Sequence, residues 1–469
     1  MSKKQRTPRF YCALLAAKFA AFGLKVTHHS GGQLPGVIAM KICPDFLSRI
    51  GTPEHTLFVT GTNGKTTTTN VLADLLTASG NAPLTNREGG NVTEGIASTL
   101  LKDATLGGKA KSAYAVLELD ERCAKLVFPH ITPEALVVTN LYRDTFPRNS
   151  HVGYIFDILS EYISAETRLI LNADDMISCR LSPKSTKREY YAIDRLPGDT
   201  DAPTGIVTDL NACPECGGHL SYAYCHFGHV GKVTCDTCGL ESPRPDFEVT
   251  AVDYDKRLMT VRENDASGAR TCEYHFTSDA ITDLYNLLAA ISTARYLGVP
   301  SEVIARAFND GVGIPVSRYS EVEAGGKRLV SIALKGENAM ACSRGFAKIN
   351  LEQGKKAVVL MLEDKYKAID PKSTEFIGWF YETDFEMLND PDITQVIITG
   401  LRSEDLVQRV LLAGVDPDKI LEAKDGIEAA DLVDYQHVDG IYFAHSISYE
   451  HVADECRSHL VAKIEKKEA

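Results

Sequence analysis

The sequence LFVTGTNGKTTTTN, residues 57–70, decides the fold, because an apolar strand, a glycine-containing turn and a helical run follow one another directly. The predicted strand is Leu57 to Val59, and the helix continues from Asn70 to Ser79. Strand, loop and helix in this order form a cradle for the phosphates of a nucleotide. The turn is a shortened variant of the mononucleotide loop, since Val59 stands where the first glycine would be. The segment therefore predicts a nucleotide site at the end of a strand.

The predicted phosphate loop has a chemical reason for each of its main residues. Glycines let backbone N–H groups wrap the phosphates, and the helix N-terminus adds positive potential. Lys65 would reach the outer phosphates, and the Thr66 hydroxyl can bind Mg²⁺. The alternative, a glycine-rich connector before a threonine-rich helix, gives no reason for Lys65. The residues expected around ATP are Thr60, Gly61, Thr62, Asn63, Gly64, Lys65, Thr66 and Thr67.

Further apolar runs alternate with helical segments along the chain, at Ala113 to Leu119, Ala135 to Thr139 and Leu169 to Leu171. Such alternation predicts an α/β fold with a parallel sheet that helices cover on both faces. Ligands of these folds gather at the carboxyl ends of the strands. The polar residues that follow each run are therefore candidates for the active site.

Two groups of polar residues stand at those strand ends. Glu118 and Asp120 close the second strand, where Glu118, with Asp120 as the second candidate, is expected to hold Mg²⁺ or a water; ordinary surface carboxylates are the alternative. Asn140, Arg143 and Asp144 follow the third strand in NLYRDT. This trio would grip the transferring phosphate or the attacked carboxyl, because phosphoryl transfer depends on positioning and charge neutralisation. The alternative is a helix cap at Asn140 beside a solvated Arg143.

The composition places the chain among globular proteins. At 469 residues it is too long for one compact core, so two or three domains are expected. The formal net charge of -13 argues against nonspecific nucleic-acid binding, which needs clustered cations. The apolar stretch Tyr11 to Phe22 has no signal-peptide cleavage pattern and is too short to span a bilayer. We therefore expect an amphipathic helix in a cytosolic protein.

Changes in local pattern predict the domain organisation. Residues 1–325 would form the ATP-binding domain and residues 326–469 a smaller C-terminal α/β domain, with a boundary near Gly325 and Gly326. Residues 205–248 are rich in Gly, Pro, Cys and His and have no helical period, which indicates an insertion. Four apolar runs predict the strands of the second domain: Leu329 to Leu334, Lys356 to Leu362, Gln395 to Thr399 and Gly440 to Phe443.

The insertion carries two CxxC pairs at a spacing suited to one tetrahedral Zn²⁺, Cys213 with Cys216 and Cys235 with Cys238. Four thiolates leave no open position for water, so the expected zinc is structural and the module is a zinc ribbon. Disulfides are the alternative, which a reducing cytosol disfavours. Three intervening residues are competing candidate ligands that we expect to be structural or exposed: Cys225, His226 and His229.

Several motifs together resemble the central domain of the Mur ligases, in the same order along the chain. They are GTNGKTTT, LELDE, VVTNLYRD, LNADD at Leu171 to Asp175 and DLYNLLAA at Asp283 to Ala290. Within that family the chain is similar to the MurT group, the synthetase subunits of lipid II isoglutaminyl synthase. Four features carry this similarity: the early phosphate loop, the cysteine module, and the segments Gly31 to Leu47 and Thr399 to Asp416. The resemblance covers nearly the whole chain.

The resemblance implies a set of nucleotide contacts and also has departures. It implies Lys65 and Thr66 on the phosphates and Mg²⁺, Asn286 beside the adenine and Arg318 at the ribose. Arg318, however, stands in VSRYS where the family usually has G-R-x-E. In the C-terminal domain LKGENA replaces a K-N-P-x-G pattern, and the loop after Leu362 lacks the usual N-D-x-x-A-D-G.

The resemblance also implies an activity and a partner. ATP would phosphorylate the α-carboxyl of D-glutamate in the stem peptide of lipid II, and ammonia would then give D-isoglutamine. Nothing in the chain resembles a glutaminase, so ammonia is expected from a GatD-type glutamine amidotransferase in a heterodimer. An acidic residue would complete the partner's Cys-His pair, either Glu382, which stands where the family has Asp, or Asp384 two positions on. A lipid substrate would bring the chain to the inner face of the membrane.

Two other interpretations stay open. One is a self-sufficient Mur-type or folylpolyglutamate-type amino-acid ligase, which predicts amino-acid-dependent ATP turnover without an amidotransferase. The other is a noncatalytic zinc-ribbon scaffold, which predicts tight ATP binding without turnover. Neither explains both the cysteine insertion and the short segment before Leu57.

Overall fold

The computed structural model divides the chain into two compact units. The first consists of Met1–Arg143, His151–Pro203 and Asp209–Pro315, and the second of Asp144–Ser150, Thr204–Thr208 and Val316–Ala469. Two short segments in the first half of the chain thus belong to the second unit, which no local pattern predicts. The structure describes residues 4–27, 32–87, 90–144, 151–265, 268–314, 319–334, 338–362 and 377–468.

The first unit contains a nine-stranded sheet and a separate two-stranded hairpin. Its strands are β1 (His55–Thr60), β2 (Leu84–Thr85), β3 (Tyr114–Glu118), β4 (Ala135–Val138), β5 (Arg168–Asn172), β6 (Arg188–Ile193), β7 (Leu220–Phe227), β8 (Val230–Cys235), β9 (Phe247–Asp253), β10 (Leu258–Asp265) and β11 (Gly268–His275). The large sheet has the order β11-β10-β9-β6-β5-β4-β1-β3-β2, and strands β7 and β8 form the hairpin.

The predicted parallel sheet is confirmed for most of the strands. From β2 to β9 every neighbouring pair in the large sheet is parallel, whereas β9, β10 and β11 pair antiparallel at one edge. Consecutive residues of β1 face opposite cores: Phe58 packs in one cluster, and Leu57 and Val59 in the other. A strand buried on both faces is apolar at consecutive positions, which is why LFV marked it in the sequence.

Eight helices and three 3₁₀ turns of the described residues accompany this sheet. The helices are α1 (Pro8–Val26), α2 (Leu34–Ile42), α3 (Lys65–Ala78), α4 (Thr93–Asp103), α5 (Ala124–Val127), α6 (Val152–Tyr162), α7 (Ile281–Tyr296) and α8 (Ser301–Asn309). The turns are Phe46–Ser48, Glu121–Cys123 and Ser178–Arg180. Helices α1, α2, α4 and α6 cover one face, and α3, α7 and α8 cover the other, as a doubly covered sheet requires.

Helix α1 differs from the amphipathic helix predicted for this part of the chain. Phe10 and Leu14 are buried against the core, but Leu15, Phe19 and Phe22 on the other side are exposed. An amphipathic helix would have polar side chains at these exposed positions. Helix α1 instead has large hydrophobic side chains there, so it is apolar on both faces. None of the described helices is long and apolar enough to cross a membrane.

The second unit is built on a six-stranded sheet with the order β12-β13-β17-β14-β15-β16. Its strands are β12 (Tyr319–Ala324), β13 (Lys327–Leu334), β14 (Lys356–Met361), β15 (Ile393–Ile398), β16 (Ile420–Glu422) and β17 (Gly440–Ser446). The described helices are α9 (Ala339–Leu351), α10 (Ser403–Leu412), α11 (Gly426–Leu432) and α12 (Glu450–Glu468), and the 3₁₀ turns are Ile377–Glu382, Phe385–Asn389, Pro417–Lys419 and Ile447–Tyr449.

All pairs of this sheet are parallel except β12 with β13. Gly325 and Gly326, where the sequence indicated a domain boundary, form the turn of that antiparallel hairpin. Both have positive φ, 54° and 66°, which glycine adopts without strain. Strand β12 thus belongs to the second sheet, and the compact unit begins at Val316 rather than after the glycines.

Candidate active site

The predicted phosphate loop lies between β1 and α3, and two of its glycines are required by close contacts. Gly61 and Gly64 have φ values of 128° and 85°. A Cβ on Gly61 would lie 2.2 Å from Thr139 Oγ1, and one on Gly64 would lie 2.0 Å from Asn286 Oδ1. The glycines therefore bring the loop backbone against β4 and α7, which leaves the loop fixed on both sides.

Lys65 folds back over this loop. Its Nζ donates to the carbonyl oxygens of Gly61 and Thr62 and lies 3.1 Å from Glu121 Oε1. Burial raises the pKa of the Glu121 carboxyl, and the charge of Lys65 opposes that rise. Glu121 was not predicted as a site residue, because it lies beyond the strand end in a 3₁₀ turn. Asp120, predicted as a strand-end carboxylate, accepts the N–H of Arg122 and so caps that turn.

Thr66 and Glu118 bring two oxygen atoms together at the start of α3. Thr66 Oγ1 donates to Glu118 Oε2 at 2.7 Å, and Asn91 Nδ2 donates to Glu118 Oε1 at 2.8 Å. A hydroxyl and a carboxylate are both oxygen ligands of the kind that Mg²⁺ prefers. The pair therefore fits the magnesium site that the sequence predicts for these two residues.

Asn140 braces the phosphate loop from the end of β4. Its Oδ1 accepts the N–H of Asn63 and its Nδ2 donates to the Asn63 carbonyl, both at 3.0 Å. Its own carbonyl accepts the N–H of Thr62 at 3.0 Å. In the structure Asn140 thus holds the shape of the loop rather than capping a helix, and its contact with the transferring phosphate stays a prediction.

Arg143 and Asp144, adjacent in sequence, fall in different compact units. In the first unit Arg143 pairs with Asp209, whose carboxylate accepts from the Arg143 Nε at 2.6 Å and from its backbone N–H at 3.0 Å. Arg143 is therefore paired with a carboxylate, although its side chain remains 32% exposed. In the second unit Asn338 Nδ2 donates to Asp144 Oδ1 at 3.0 Å.

Asn286 contacts the phosphate loop from helix α7. Its Oδ1 accepts from Thr68 Oγ1 at 3.4 Å, and its Nδ2 donates to Asp283 Oδ1 at 3.3 Å. The structure thus brings Asn286 to the candidate nucleotide site, and its contact with adenine stays a prediction. Arg318, predicted for the ribose, lies outside the described residues, as do residues 335–337 and the loop 363–376.

The four predicted zinc ligands lie together. The Sγ atoms of Cys213, Cys216, Cys235 and Cys238 all lie within 4.8 Å of one another, and they are the one such cluster of possible metal ligands among the described residues. Two Sγ–Sγ distances are 3.6 Å, Cys213 to Cys238 and Cys216 to Cys235. A tetrahedral site with Zn–S bonds of about 2.3 Å requires about 3.8 Å between sulfurs. The donor set and its spacing therefore fit one zinc ion.

The other candidate metal ligands of the insertion form hydrogen bonds with residues outside the four-cysteine cluster. His226 bonds Asp199 and the Ile193 carbonyl, and the Cys225 thiol donates to the Gly228 carbonyl. His229 is wholly buried and its Nε2 lies 2.9 Å from Asp175 Oδ1. From the sequence we expected these three residues to be structural or exposed. The structure shows that they are structural.

The pair of His229 and Asp175 connects the insertion to the candidate active site. Asp175 follows β5, and its second oxygen accepts the N–H of Leu141, the residue after Asn140, at 2.8 Å. Burial acts to raise the pKa of Asp175, but the hydrogen bond and charge of His229 outweigh it, so the pKa lies below the ordinary carboxyl value. The insertion therefore supports the segment 140–143 at two points: His229 holds Asp175, which binds Leu141, and Asp209 binds Arg143.

Replacing His229 should destabilise the first unit strongly. His229→Ala leaves the buried Asp175 carboxylate with backbone N–H donors but without its histidine, and breaking such a buried pair costs about 3 kcal/mol of unfolding free energy. The matched control is His219→Ala, which removes a histidine from an exposed pair with Asp236 and should change stability little. Urea unfolding at neutral pH measures both variants.

The same pair gives a pH dependence with a defined sign. Because the Asp175 pKa is lower in the folded protein than in the unfolded chain, the pair stabilises the fold above the unfolded-state carboxyl pKa. That stabilisation is lost as the pH falls through the folded-state value. Equal stability of the His229→Ala variant and the parent chain at neutral pH would contradict the assignment.

In the second unit the segment containing Glu382 and Asp384 is held by Arg409. The buried guanidinium donates to the carbonyls of Phe380 and Thr383 and pairs with Glu386 at 2.9 Å. Asp384 Oδ1 accepts the N–H of Ile206 at 2.6 Å, and its own N–H donates to Ser343. Asp384 thus anchors residues 204–208, whereas Glu382 is half-buried at the end of a 3₁₀ turn.

Comparisons with known proteins follow this division of the chain. Residues 59–195 match the Mur ligase middle domain, and residues 336–445 match the MurT ligase C-terminal family. The MurT subunit of lipid II isoglutaminyl synthase (glutamine-hydrolysing) from Staphylococcus aureus strain COL is 29% identical over 91% of this chain and 93% of that protein. The MurT subunit from Streptococcus pneumoniae strain ATCC BAA-255 / R6 is 27% identical over 84% and 85%.

This chain is similar to MurT over nearly its whole length. The resemblance predicted from the motifs is therefore confirmed. The relatives named above are subunits of a ligase. Among solved structures, a pseudomurein peptide ligase type C from Methanothermus fervidus covers 90% of the chain and 80% of its own length, with a TM-score of 0.63 and 20% identity. MurF ligase from Thermotoga maritima, solved with ADP, covers 92% and 85%, with a TM-score of 0.54 and 15% identity. At these identities the structures support the Mur ligase-like fold alone.

Proposed function

We propose that this chain is the ATP-dependent synthetase subunit of a lipid II isoglutaminyl synthase. Its substrate is the α-carboxyl of D-glutamate in the stem peptide of lipid II, and its product is D-isoglutamine. One observation carries the proposal: the short phosphate loop, with Lys65 above it and the Thr66–Glu118 oxygen pair at its end, occurs in a chain similar to MurT over 91% of its length.

The phosphate loop binds ATP in this proposal. Backbone N–H groups of residues 64–66 at the start of α3 and the Lys65 ammonium hold the phosphates, and Thr66 with Glu118 would hold Mg²⁺, which neutralises phosphate charge when bound. Lys65 is already placed over the loop by the Gly61 and Thr62 carbonyls and by Glu121. The incoming phosphates compete with Glu121 for the same ammonium.

The reaction activates a carboxylate and then forms an amide. A carboxylate oxygen attacks the γ-phosphorus and ADP leaves; ammonia then attacks the carbonyl carbon and inorganic phosphate leaves. Lys65 stabilises the charge that moves onto the phosphates. Arg143 is our candidate for binding the attacked carboxyl, because Asp209 fixes the plane of its guanidinium through Nε. Asn140 contributes by holding the loop.

The four-cysteine module holds a structural Zn²⁺ in this proposal. Four thiolates complete a tetrahedral site, so the ion supplies folding free energy to a module too small to have a large core. The backbone N–H groups of Thr237 and Cys238 point at the Cys235 sulfur, at 3.4 and 3.5 Å, and would stabilise its thiolate charge. Through its residues Asp209 and His229, the module supports the segment 140–143.

Ammonia comes from a GatD-type glutamine amidotransferase, with which the chain forms a heterodimer. We assign Glu382 as the acid that orients the partner's histidine, because it stands at the position where the family has Asp. A lipid-carried substrate places the complex at the inner face of the membrane, in the cytoplasm.

Two isosteric variants separate Glu382 from Asp384. Glu382→Gln should lower glutamine-dependent amidation roughly a hundredfold or more, because an amide cannot stabilise an imidazolium. Asp384→Asn keeps an oxygen that can accept from Ile206, so it should retain most of that rate. Amidation driven by added ammonium is the control and should be unchanged in both. Loss in Asp384→Asn alone would reverse the two roles, and full rates in both would remove the pair from the mechanism.

Reconstitution with purified components tests the whole proposal. The chain with ATP, Mg²⁺, lipid II and ammonium chloride should form amidated lipid II, ADP and phosphate, whereas glutamine should replace ammonium only when the amidotransferase subunit is added. Amino-acid-dependent ATP turnover without amidation would instead identify a self-sufficient ligase. ATP binding without turnover in every mixture would identify a noncatalytic scaffold.

A further inference from the structure

Helix α1 carries an exposed apolar stripe that the packing of the first unit leaves uncovered. Its five side chains are between 40% and 79% exposed and recur at helical spacing along one side: Tyr11, Leu15, Phe19, Phe22 and Val26. The stripe extends over about 22 Å of the helix at 1.5 Å per residue. Scattered exposed hydrophobics are ordinary, but a continuous stripe of this length marks a contact surface.

The opposite side of the same helix is fixed to the protein core. Phe10, Ala13, Leu14 and Ala17 are fully buried, and the Lys18 ammonium donates to the carbonyls of Leu101 and Ala104. The helix therefore cannot turn its stripe inward or leave the core to cross a bilayer. Whatever covers the stripe must approach it from outside, and the helix axis then lies parallel to the covering surface.

The charged residues in the part of the sequence that carries the stripe have one sign. The first acidic residue of the chain is Asp45, and the preceding 44 residues contain seven Lys and Arg, although the whole chain has a net charge of -13. Lys25 in the last turn of α1 and Lys41 in the last turn of α2 are both exposed. Phe and Leu on the contact side with cations beside them are the combination that binds the headgroup region of an anionic bilayer.

We propose that the stripe on α1 is a peripheral membrane-docking surface for anionic lipid. Its aromatic and aliphatic side chains enter the boundary between headgroups and acyl chains, and the neighbouring cations contact lipid phosphates. The inference goes beyond the proposed function, because it concerns the bilayer itself and requires no lipid II. A face for another protein is the competing assignment, but a segment without a single carboxylate favours an anionic surface.

Vesicle binding of the full-length chain tests the proposal. The parent should cosediment with vesicles containing phosphatidylglycerol, less at high salt and less with phosphatidylcholine alone. The double substitution Phe19→Gln and Phe22→Gln should lower the partition at least tenfold, while glutamine, a good helix former, keeps α1 intact. The matched control is the double substitution Leu351→Gln and Leu412→Gln, which should bind as the parent does. Phe19 and Phe22 are 79% and 64% exposed, and these two leucines are 79% and 62% exposed.

The other outcomes are distinguishable. Equal partition of the Phe19/Phe22 variant and the parent, or no vesicle binding by the parent, would overturn the proposal. Loss of a dimer in sedimentation velocity, or of binding to a purified amidotransferase subunit, without any vesicle binding would assign the stripe to a protein interface and also overturn it. Amidation of a lipid-free muropeptide should be the same in all variants, so failure of membrane docking leaves the proposed chemistry untouched.

Discussion

Replacing Lys65 by Ala should reduce ATP-dependent amidation by roughly 10²–10³-fold, because the ammonium is the cation placed over the phosphate loop. The loss should appear in kcat, since stabilisation of the moving phosphate charge is greatest in the transition state. Lys65→Arg should not restore the rate, because a planar guanidinium cannot occupy the position of a compact ammonium between the loop carbonyls. Initial rates of phosphate release with lipid II and ammonium measure all three proteins.

Glu121 supplies the control for folding. Lys65→Ala leaves the buried Glu121 carboxyl without its partner, which destabilises the protein independently of catalysis. The double variant Lys65→Met with Glu121→Gln removes both charges, so it should recover stability but not activity. The exposed Lys125→Ala should match the parent in both respects. If Lys65→Ala kept more than a tenth of the parent rate, the role of the loop in catalysis would be wrong.

Removing one zinc ligand should have the largest effect on stability. Cys216 is exposed, so Cys216→Ser removes a thiolate without creating a cavity. Structural zinc sites supply an apparent binding free energy of about 10–16 kcal/mol, most of which depends on the full ligand set. We expect about one zinc per parent chain, close to none in the variant, and a lower thermal midpoint. Elemental analysis and calorimetry give the two values.

The exposed Cys12→Ser is the matched control and should retain both the zinc and the thermal midpoint. The activity of Cys216→Ser should also fall, because Asp209 and His229 connect the module to the segment 140–143. A parent chain without zinc whose unfolded form shows four fewer titratable thiols would identify two disulfides instead. A Cys216→Ser protein with a full zinc content would contradict the four-cysteine site.

The parts of the fold that local pattern determines were predictable. Strands β1, β4, β5 and β14 are apolar at consecutive positions because both faces are buried. Their existence was therefore visible in the sequence, and only the predicted first and last residues differ from the structure. The phosphate loop was visible because its glycines and Lys65 are adjacent. The boundary between the units was less accurate, because the two glycines mark any tight turn, including that of a hairpin within one sheet.

Interactions between distant residues were not predictable from one sequence. Arg143 and Asp209 are 66 positions apart, and His229 and Asp175 are 54 apart, so no spacing rule connects them. Glu121 was missed for another reason: the strand-end rule selects Glu118 and Asp120, whereas the carboxylate beside Lys65 comes from the turn that follows. The apolar side of α1 was missed because the run was taken to have a polar face.

Transfer of carboxyl oxygen to phosphate tests the central claim most directly. A lipid II analogue with oxygen-18 in the α-carboxyl of its D-glutamate is incubated with the chain, ATP, Mg²⁺ and ammonium, and the released phosphate is analysed by mass spectrometry. If the carboxyl attacks the γ-phosphorus, each amide formed releases one phosphate that carries one labelled oxygen. Amidated product accompanied by unlabelled phosphate would contradict the account.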